Sequence, residues 1–584
     1  MRFLIPTSIC LASIFTLPLA AQPTFLEVSP TSLPQFATPA EEDFWVTSVA
    51  PADVDGDGDV DLAVLGYYVV YNVSVVHQLV LLVNQGTAAQ DGSWNFTPVE
   101  VPLGDLLTGG SDLAWGDFDA DGDHDLAVGS EGATVLYRNT GGTLALLATS
   151  PLPGYWEDSS YTGAYDLRSL TWADYDNDGD LDLLIPSVWD GELFEFSTHL
   201  MRNDGPDGSG GWLFSDANAG LPPTSHAQSA WADDDGDGDL DLLLVHIDLD
   251  LDAGFIRRYR NDAGVFTGTD LVDLQVAYGL ADWGDADGDG DLDLLVAGNV
   301  HDAAGNFETL LRVYRRAGET FTAETLILAP DADWLDIHAA TWADYDSDGD
   351  VDILLTGNYI GTGEIVGHSR IFANEGGNFV PLPLELPAPY GSVGNGGSFS
   401  WFDLDQDGDL DYLVAGAYFV PGGNGLVEAQ MQLYRNGAAT PNNAPSTPNG
   451  LAVTPAGADG VTLTWNPAVD DHTAPASLTY DLELRRNGVT FGPARRLPEP
   501  GNVSHATHWD LAGLPPGSYT WAVRAVDTAF RGGDRASGSF AIGAEIFRDG
   551  FESGGTAAWS AAVGVVSSPL PAPAPAATAS GSPR

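Results

Sequence analysis

The sequence predicts an all-β fold, a seven-bladed β-propeller followed by a β-sandwich. Three observations predict it. A nine-residue acidic loop recurs seven times at intervals of 52 to 64 residues. Each copy is followed by a short apolar run bounded by glycine or polar residues, the pattern of a buried strand. Beyond the last copy, residues 450–543 continue in strand-like segments without the loop.

The loops read DVDGDGDVD, DFDADGDHD, DYDNDGDLD, DDDGDGDLD, DADGDGDLD, DYDSDGDVD and DLDQDGDLD. Their first, third, fifth, seventh and ninth residues are always Asp, and the sixth is always Gly. The second and fourth vary. Carboxylates at alternate positions of a tight turn can converge on one hard cation that takes six to eight oxygens, and glycine permits the turn. Up to seven calcium ions are therefore expected. The candidate ligands are Asp53, Asp55, Asp57, Asp59 and Asp61 in the first loop and Asp117, Asp119, Asp121, Asp123 and Asp125 in the second. Asp174, Asp176, Asp178, Asp180 and Asp182 form the third set, and Asp233, Asp235, Asp237, Asp239 and Asp241 the fourth. Asp285, Asp287, Asp289, Asp291 and Asp293 form the fifth, and Asp344, Asp346, Asp348, Asp350 and Asp352 the sixth. Asp403, Asp405, Asp407, Asp409 and Asp411 complete the seventh. By analogy with the helix-loop-helix calcium loop, the seventh residue should bind through its backbone carbonyl. A helix-loop-helix site itself is disfavoured, because Val64, Val128 and Ile185 stand where its twelfth-position Glu would be.

Each repeat can be read as four strands. The first carries an aromatic two residues before the loop: Trp115, Trp172, Trp231, Trp283, Trp342 and Trp401, with Pro51 in the first copy. The apolar run after the loop is the second. The third ends in a Tyr-Arg-Asn-like signature, as in Tyr137-Arg138-Asn139 and Tyr259-Arg260-Asn261, with Tyr314-Arg315-Arg316 as a variant. A fourth follows a Gly-containing turn, as at Asn95-Phe96-Thr97. Repeated four-stranded units arranged radially make a propeller. The seventh unit lacks a fourth strand, and a spare one stands at Thr24–Val28, so the N-terminal segment is expected to complete the last blade and remove two open edges.

Residues 1–21 read as a signal peptide, with Arg2, an apolar stretch through Leu19 and small residues for cleavage after Ala21. The propeller is assigned to 22–440, a Pro/Asn-rich linker to 441–449 and the sandwich to 450–543, followed by a short motif at 544–560 and a Pro/Ala-rich tail at 561–584. The single Cys10 lies inside the signal segment, leaving no disulfide to staple the fold. The net charge of −63, from 84 acids against 21 cations that are all Arg, argues against nucleic acid and anionic membranes as partners.

The loops with their following strands resemble FG-GAP/VCBS repeats over residues 24–436. That resemblance implies the seven-bladed propeller of integrin α-chain heads and of secreted bacterial proteins, with calcium in the loops. GLAVTPAGADGVTLTWNPAVDD and LPPGSYTWAVRAVD resemble a fibronectin type III domain, with Trp465, Tyr480 and Tyr519 at its core positions and a spacer role expected. Glu545–Ser560 resembles a short C-terminal element of secreted bacterial proteins.

No nucleophile motif, His-Glu-x-x-His or phosphate-cradling glycine loop is present. The expected function is a secreted, non-enzymatic adhesion or binding module for an extracellular glycan or protein. Aromatics in or near connections (Tyr67-Tyr68, Tyr155-Trp156, Trp189, Tyr359, Tyr390 and Tyr418-Phe419) are candidate contacts. The alternatives are a calcium-dependent polysaccharide lyase and a passive envelope protein. Against the lyase, Arg138, Arg202, Arg260, Arg315 and Arg435 all belong to the third-strand signature, which points to structure.

Overall fold

The structure is a computed structural model. It describes residues 25–543 apart from connecting stretches, the longest being 29–44, 154–169, 388–397 and 491–501. The signal segment, the 544–560 motif, the tail, and the candidates Tyr155, Trp156 and Tyr390 lie outside the described residues. Among the described residues every regular element is a strand.

The first sheet joins Trp45–Ala52, Asp61–Val70, Ser74–Ala88 and Trp94–Val101, each antiparallel to the one before. Sheets of the same order follow over residues 110–146, 171–216, 225–270, 276–325 and 333–381. In each, the acidic loop connects the first strand to the second, and its ninth Asp opens the second. The second strands are longer than their apolar runs: Asp61–Val70 and Asp411–Phe419 extend past a glycine through aromatic and small apolar residues at the end remote from the loop. These sheets form a β-propeller, and they are called blades one to seven by the loop they carry.

The last blade takes its fourth strand from the other end of the chain. Leu26 and Glu27 pair with Arg435 and Tyr434. Val28 donates its N–H to the Leu433 carbonyl at 2.8 Å and accepts that of Trp94 at 2.8 Å, bridging blades seven and one. Val28, Val46, Leu62, Phe402 and Leu413 share one apolar cluster across this junction. The join gives the last blade the same four strands as the others and covers the edge of its third strand.

Indoles link successive blades. The Nε1–H of Trp115 donates to Ala50 O at 3.0 Å, that of Trp172 to Ala114 O at 3.2 Å and that of Trp342 to Asp282 O at 3.3 Å. The Trp231 Nε1–H reaches the Thr171 hydroxyl at 3.0 Å. The residue after Trp115 is Gly116, where a Cβ would lie 2.7 Å from the Trp172 ring; at Gly284 it would lie 2.6 Å from Trp342. These glycines let the next indole lie against the backbone. The indoles surround an axial cavity of about 530 Å³.

The second domain pairs Asn449–Pro455, Val461–Asn466 and His508–Leu511 in one sheet. Its other sheet holds Val489–Thr490, Thr479–Arg486, Gly517–Val526 and Ala536–Ile542. Trp465, Tyr480, Trp509, Tyr519, Trp521 and Phe540 are buried between them. This sandwich packs directly against the propeller. Its core cluster continues into Ala173 and Leu240 of the propeller, Ala529 packs with Tyr345 and Leu410, and Ser477, His505 and Thr528 help line the axial cavity. Small and hydroxylated residues in its turns fit that face, a signal the strand pattern does not carry.

Candidate metal centres

The seven loops share one backbone path. The sixth-position glycine has φ between 91° and 102° throughout, from Gly290 to Gly122, a region costly to any residue with a Cβ. The fourth residue is left-handed in every loop: Gly56, Ala120, Asn177, Gly236, Gly288, Ser347 and Gln406 have φ between 55° and 78°. The variation at this position is therefore restricted; no β-branched residue occurs there, because αL crowds a branched Cβ. The second residue is restricted too. Val54, Phe118, Tyr175, Asp234, Ala286, Tyr345 and Leu404 are all buried.

Backbone N–H groups organise the carboxylates. The first Asp accepts the N–H of the sixth-position glycine in all seven loops at 2.9–3.1 Å. The fifth Asp accepts the N–H of the seventh residue at 2.9–3.3 Å. The ninth Asp is at most 2 % exposed in every loop. Its Oδ1 accepts the N–H of the residue closing the third-strand signature (Asn84, Asn139, Asn203, Asn261, Arg316, Asn374 or Asn436) at 2.7–2.8 Å. The Asn side chain then donates to the second-position carbonyl of the preceding blade: Asn139 to Val54 O at 2.8 Å, Asn261 to Tyr175 O at 2.7 Å, Asn436 to Tyr345 O at 2.6 Å. Loops one to six are thereby tied to their own blade and to the next, loop four through Arg316 in place of Asn, whereas the Asn84 side chain donates to Val60 O of its own loop.

Carboxylate oxygens converge within 4.8 Å in Asp53, Asp55 and Asp57; Asp117, Asp119 and Asp125; Asp174, Asp176 and Asp182; and Asp233, Asp235 and Asp237. The seventh carboxylate points elsewhere. Asp123 accepts the Gly141 N–H at 2.7 Å, Asp239 the Ala263 N–H at 2.7 Å and Asp350 the Gly376 N–H at 3.1 Å, all in the turn after the third strand. Asp59 accepts from Gln406 Nε2 at 2.7 Å, a bond between blades one and seven. At Asp123, Asp239 and Asp350 the carboxylate is a turn cap, leaving the backbone carbonyl as the group the residue could offer a cation.

Arginines of the third-strand signature meet the third carboxylate of their own loop. Arg138 pairs with Asp119, Arg260 with Asp235 at 3.0 Å, Arg315 with Asp287 at 3.5 Å and Arg435 with Asp405 at 2.5 Å. Arg202 instead reaches Asp204 at 2.6 Å.

The remaining negative charge is poorly compensated. Burial, with neighbouring carboxylates adding to it, pushes Asp117 up to about 7 and Asp125 to about 9, while Asp174, Asp182 and Asp352 stand well above the usual carboxylate range. Buried Oδ1 atoms of Asp174, Asp176 and Asp346 have no donor. Orphaned buried oxygens on crowded carboxylates fit a hard divalent cation held by oxygens.

The sandwich reaches into this face. Ser477 Oγ donates to Asp285 Oδ2 at 2.6 Å, and Thr528 Oγ1 to Asp344 Oδ2 at 2.7 Å. His505 lies nearby, half-buried; desolvation lowers its imidazole pKa, opposed by the Asp285 charge. Neither the loop period nor the strand pattern of the sandwich encodes these contacts. Outside the loops, Asp470, Asp471 and His472 also bring potential ligand atoms within 4.8 Å.

Residues 117–185 and 285–355 match the family described as FG-GAP-like repeat, so the chain carries FG-GAP-like repeats within a β-propeller. No curated protein matches the chain. Among solved structures, it is similar to an Agrocybe aegerita lectin described as recognising non-reducing terminal N-acetylglucosamine. That pair is 18% identical, covering 60% of this chain and 87% of the other, with a TM-score of 0.37. It is also similar to the β-propeller domain of the Trilobed protease from Pyrococcus furiosus, at 12% identity, 69% and 97% coverage and a TM-score of 0.36. The Dos1 propeller is 12% identical, with 67% and 93% coverage and a TM-score of 0.35.

Proposed function

We propose that this is a secreted, calcium-stapled propeller that binds an extracellular glycan or protein and carries out no chemistry of its own. The observation that carries the calcium reading is the convergence of loop carboxylates within 4.8 Å, with buried oxygens that lack donors. The first, third, fifth and ninth carboxylates and the seventh carbonyl would hold each ion. Calcium supplies positive charge where five acids crowd nine residues. Because extracellular fluid is rich in calcium, weak sites of about 10⁻⁴–10⁻³ M would suffice.

The ligand surface is proposed on the face opposite the loops. Each second strand starts at its loop's ninth Asp and runs to that face. Trp189, Tyr359 and Tyr418 each stand seven residues after that Asp, at equivalent places in blades three, six and seven. Tyr68, at the same place in blade one, is instead buried in the core with Val46 and Val64, which removes it as a contact. Aromatic residues at such hairpin ends suit stacking on sugars or holding a peptide. Pairing of the signature arginines with loop carboxylates favours this reading over a lyase, which would need free cations. The sandwich is proposed to be a fibronectin type III domain, a reading supported by its sheets of three and four strands and by the Tyr519 hydroxyl on Pro515 O at 2.5 Å, a tyrosine corner.

Calorimetric titration of calcium into chelated protein tests the metal reading. Asp174→Ala should lower the melting temperature in calcium and leave it unchanged in chelator; equal loss in both removes the metal role of Asp174. A glycan array with and without chelator, with Tyr359→Ala/Tyr418→Ala as control, tests the ligand face. Unsaturated uronate released from pectin or alginate would favour the lyase. N-terminal sequencing of the exported protein tests cleavage after Ala21.

A further inference from the structure

We infer that the sandwich completes metal centres five and six from outside the propeller, so that calcium binding and docking of the second domain are coupled. This rests on the calcium reading above. The first ligand-position Asp in each of these two loops accepts a hydroxyl from the sandwich: Asp285 from Ser477 at 2.6 Å, Asp344 from Thr528 at 2.7 Å. Both bonds are buried, and Thr528 is itself set by Thr473, whose Oγ1 lies 2.8 Å from Thr528 Oγ1 and accepts its backbone N–H at 3.3 Å.

The backbone of the same loops forms the seat. A Cβ at Gly349 would lie 2.1 Å from His472 O, and one at Gly290 would lie 3.1 Å from Ala476 Cβ. The sandwich turn therefore rests against sixth-position glycines, whose φ of 98° and 91° belongs to the closed loop. Around loop seven, a Cβ at Gly408 would meet Asn442 O at 3.0 Å. Loops one and two differ: Asp55, Asp57 and Asp121 are exposed.

A closed loop presents its glycine and aims the first carboxylate at the hydroxyl. Removing the cation leaves like charges within a few ångströms, which favours opening of the loop and loss of the seat. Linkage makes the effect reciprocal: whatever factor calcium adds to docking, docking adds to calcium affinity at these two centres. Ser477 and Thr528 are positioning residues here, acting through Asp285 and Asp344.

The test uses the full chain. Calcium stoichiometry and affinity are measured by calorimetry for the wild type and for Ser477→Ala/Thr528→Ala. Hydrogen exchange of residues 472–477 and 527–531 is followed in calcium and in chelator, with the sandwich core at 482–484 as internal reference. Expected are at least tenfold faster exchange of both segments in chelator with the core unchanged, and about tenfold weaker binding of two ions in the variant. Should the variant not fold, the wild-type exchange comparison decides alone. Calcium binding with unchanged exchange overturns the coupling and leaves the calcium reading standing. No calcium binding at all overturns that reading, and the coupling falls with it.

Discussion

Arg316 reaches across the blade boundary to Asp234, placing Nη1 3.1 Å from its Oδ2 and also bonding its backbone carbonyl. Two departures from the repeat meet here. Asp234 stands where other loops bury an apolar or aromatic residue, and Arg316 stands where other blades have Asn. The Asn of blades two, three, four, six and seven donates to the same carbonyl position. Arg316 keeps that bond and adds a charge, which with Arg258 at 2.7 Å compensates the buried carboxylate.

Asp234→Ala should therefore cost more than Arg316→Asn. The first strands two buried guanidinium groups, a loss of about 3 kcal/mol. The second restores the pattern of the other blades and leaves Asp234 paired with Arg258, costing about 1 kcal/mol. Urea unfolding at saturating calcium compares them; equal losses would deny the compensation.

The glycines of the loops separate strain from collision. Gly122 has φ +102° and open space around a Cβ, so Gly122→Ala should cost about 1–3 kcal/mol from backbone strain alone. Gly349→Ala adds a collision with His472 O and should cost more while also releasing the sandwich. Ala120, left-handed at φ 56°, gives the opposite case: Ala120→Gly should stabilise by about 1 kcal/mol. Melting curves of the three variants in calcium order them, and a destabilised Ala120→Gly would contradict the strain argument.

Ring closure predicts an effect beyond local contacts. Deleting residues 22–32 removes the partner of Tyr434 and Arg435 and the buried Val28. It should lower the unfolding temperature of the whole propeller and expose the last blade's edge, read as self-association by light scattering. Unchanged unfolding and a monodisperse variant would mean the ring does not depend on that strand.

The sequence made the repeat, its strands and the closing strand legible, because each rests on local periodicity: Asp at alternate loop positions, an apolar run after Asp61 or Asp411, a spare Phe25-Leu26-Glu27. It did not reveal that the third-strand Asn caps the ninth Asp, although Asn139 and Asp125 recur together, since their bond spans 14 residues of intervening strand. The restriction at Ala120, Asn177 and Ser347 was visible only as a lack of branched residues, which backbone angles explain. The contacts of Ser477 and Thr528 with Asp285 and Asp344 are side-chain bonds between domains, and no period encodes them.

Metal and protons should compete for the same carboxylates, with opposite pH profiles in the two states. Without metal, burial raises Asp117 and Asp233 to about 7, Asp411 to about 8 and Asp125 to about 9. A carboxyl whose folded pKa exceeds its unfolded value near 3.8 binds more protons when folded. Its contribution is fully present below that unfolded value and is lost as pH rises through the folded one. In chelator, stability should therefore fall between about pH 4 and pH 9. In saturating calcium the cation binds the ionised form, so stability should instead rise with pH over the acidic part of that window. Asp125→Asn removes one such titration and should flatten the chelator profile while weakening one ion. Denaturation midpoints from pH 4 to pH 9 in the two media read both slopes, and parallel profiles would show that the buried carboxylates do not exchange protons for metal.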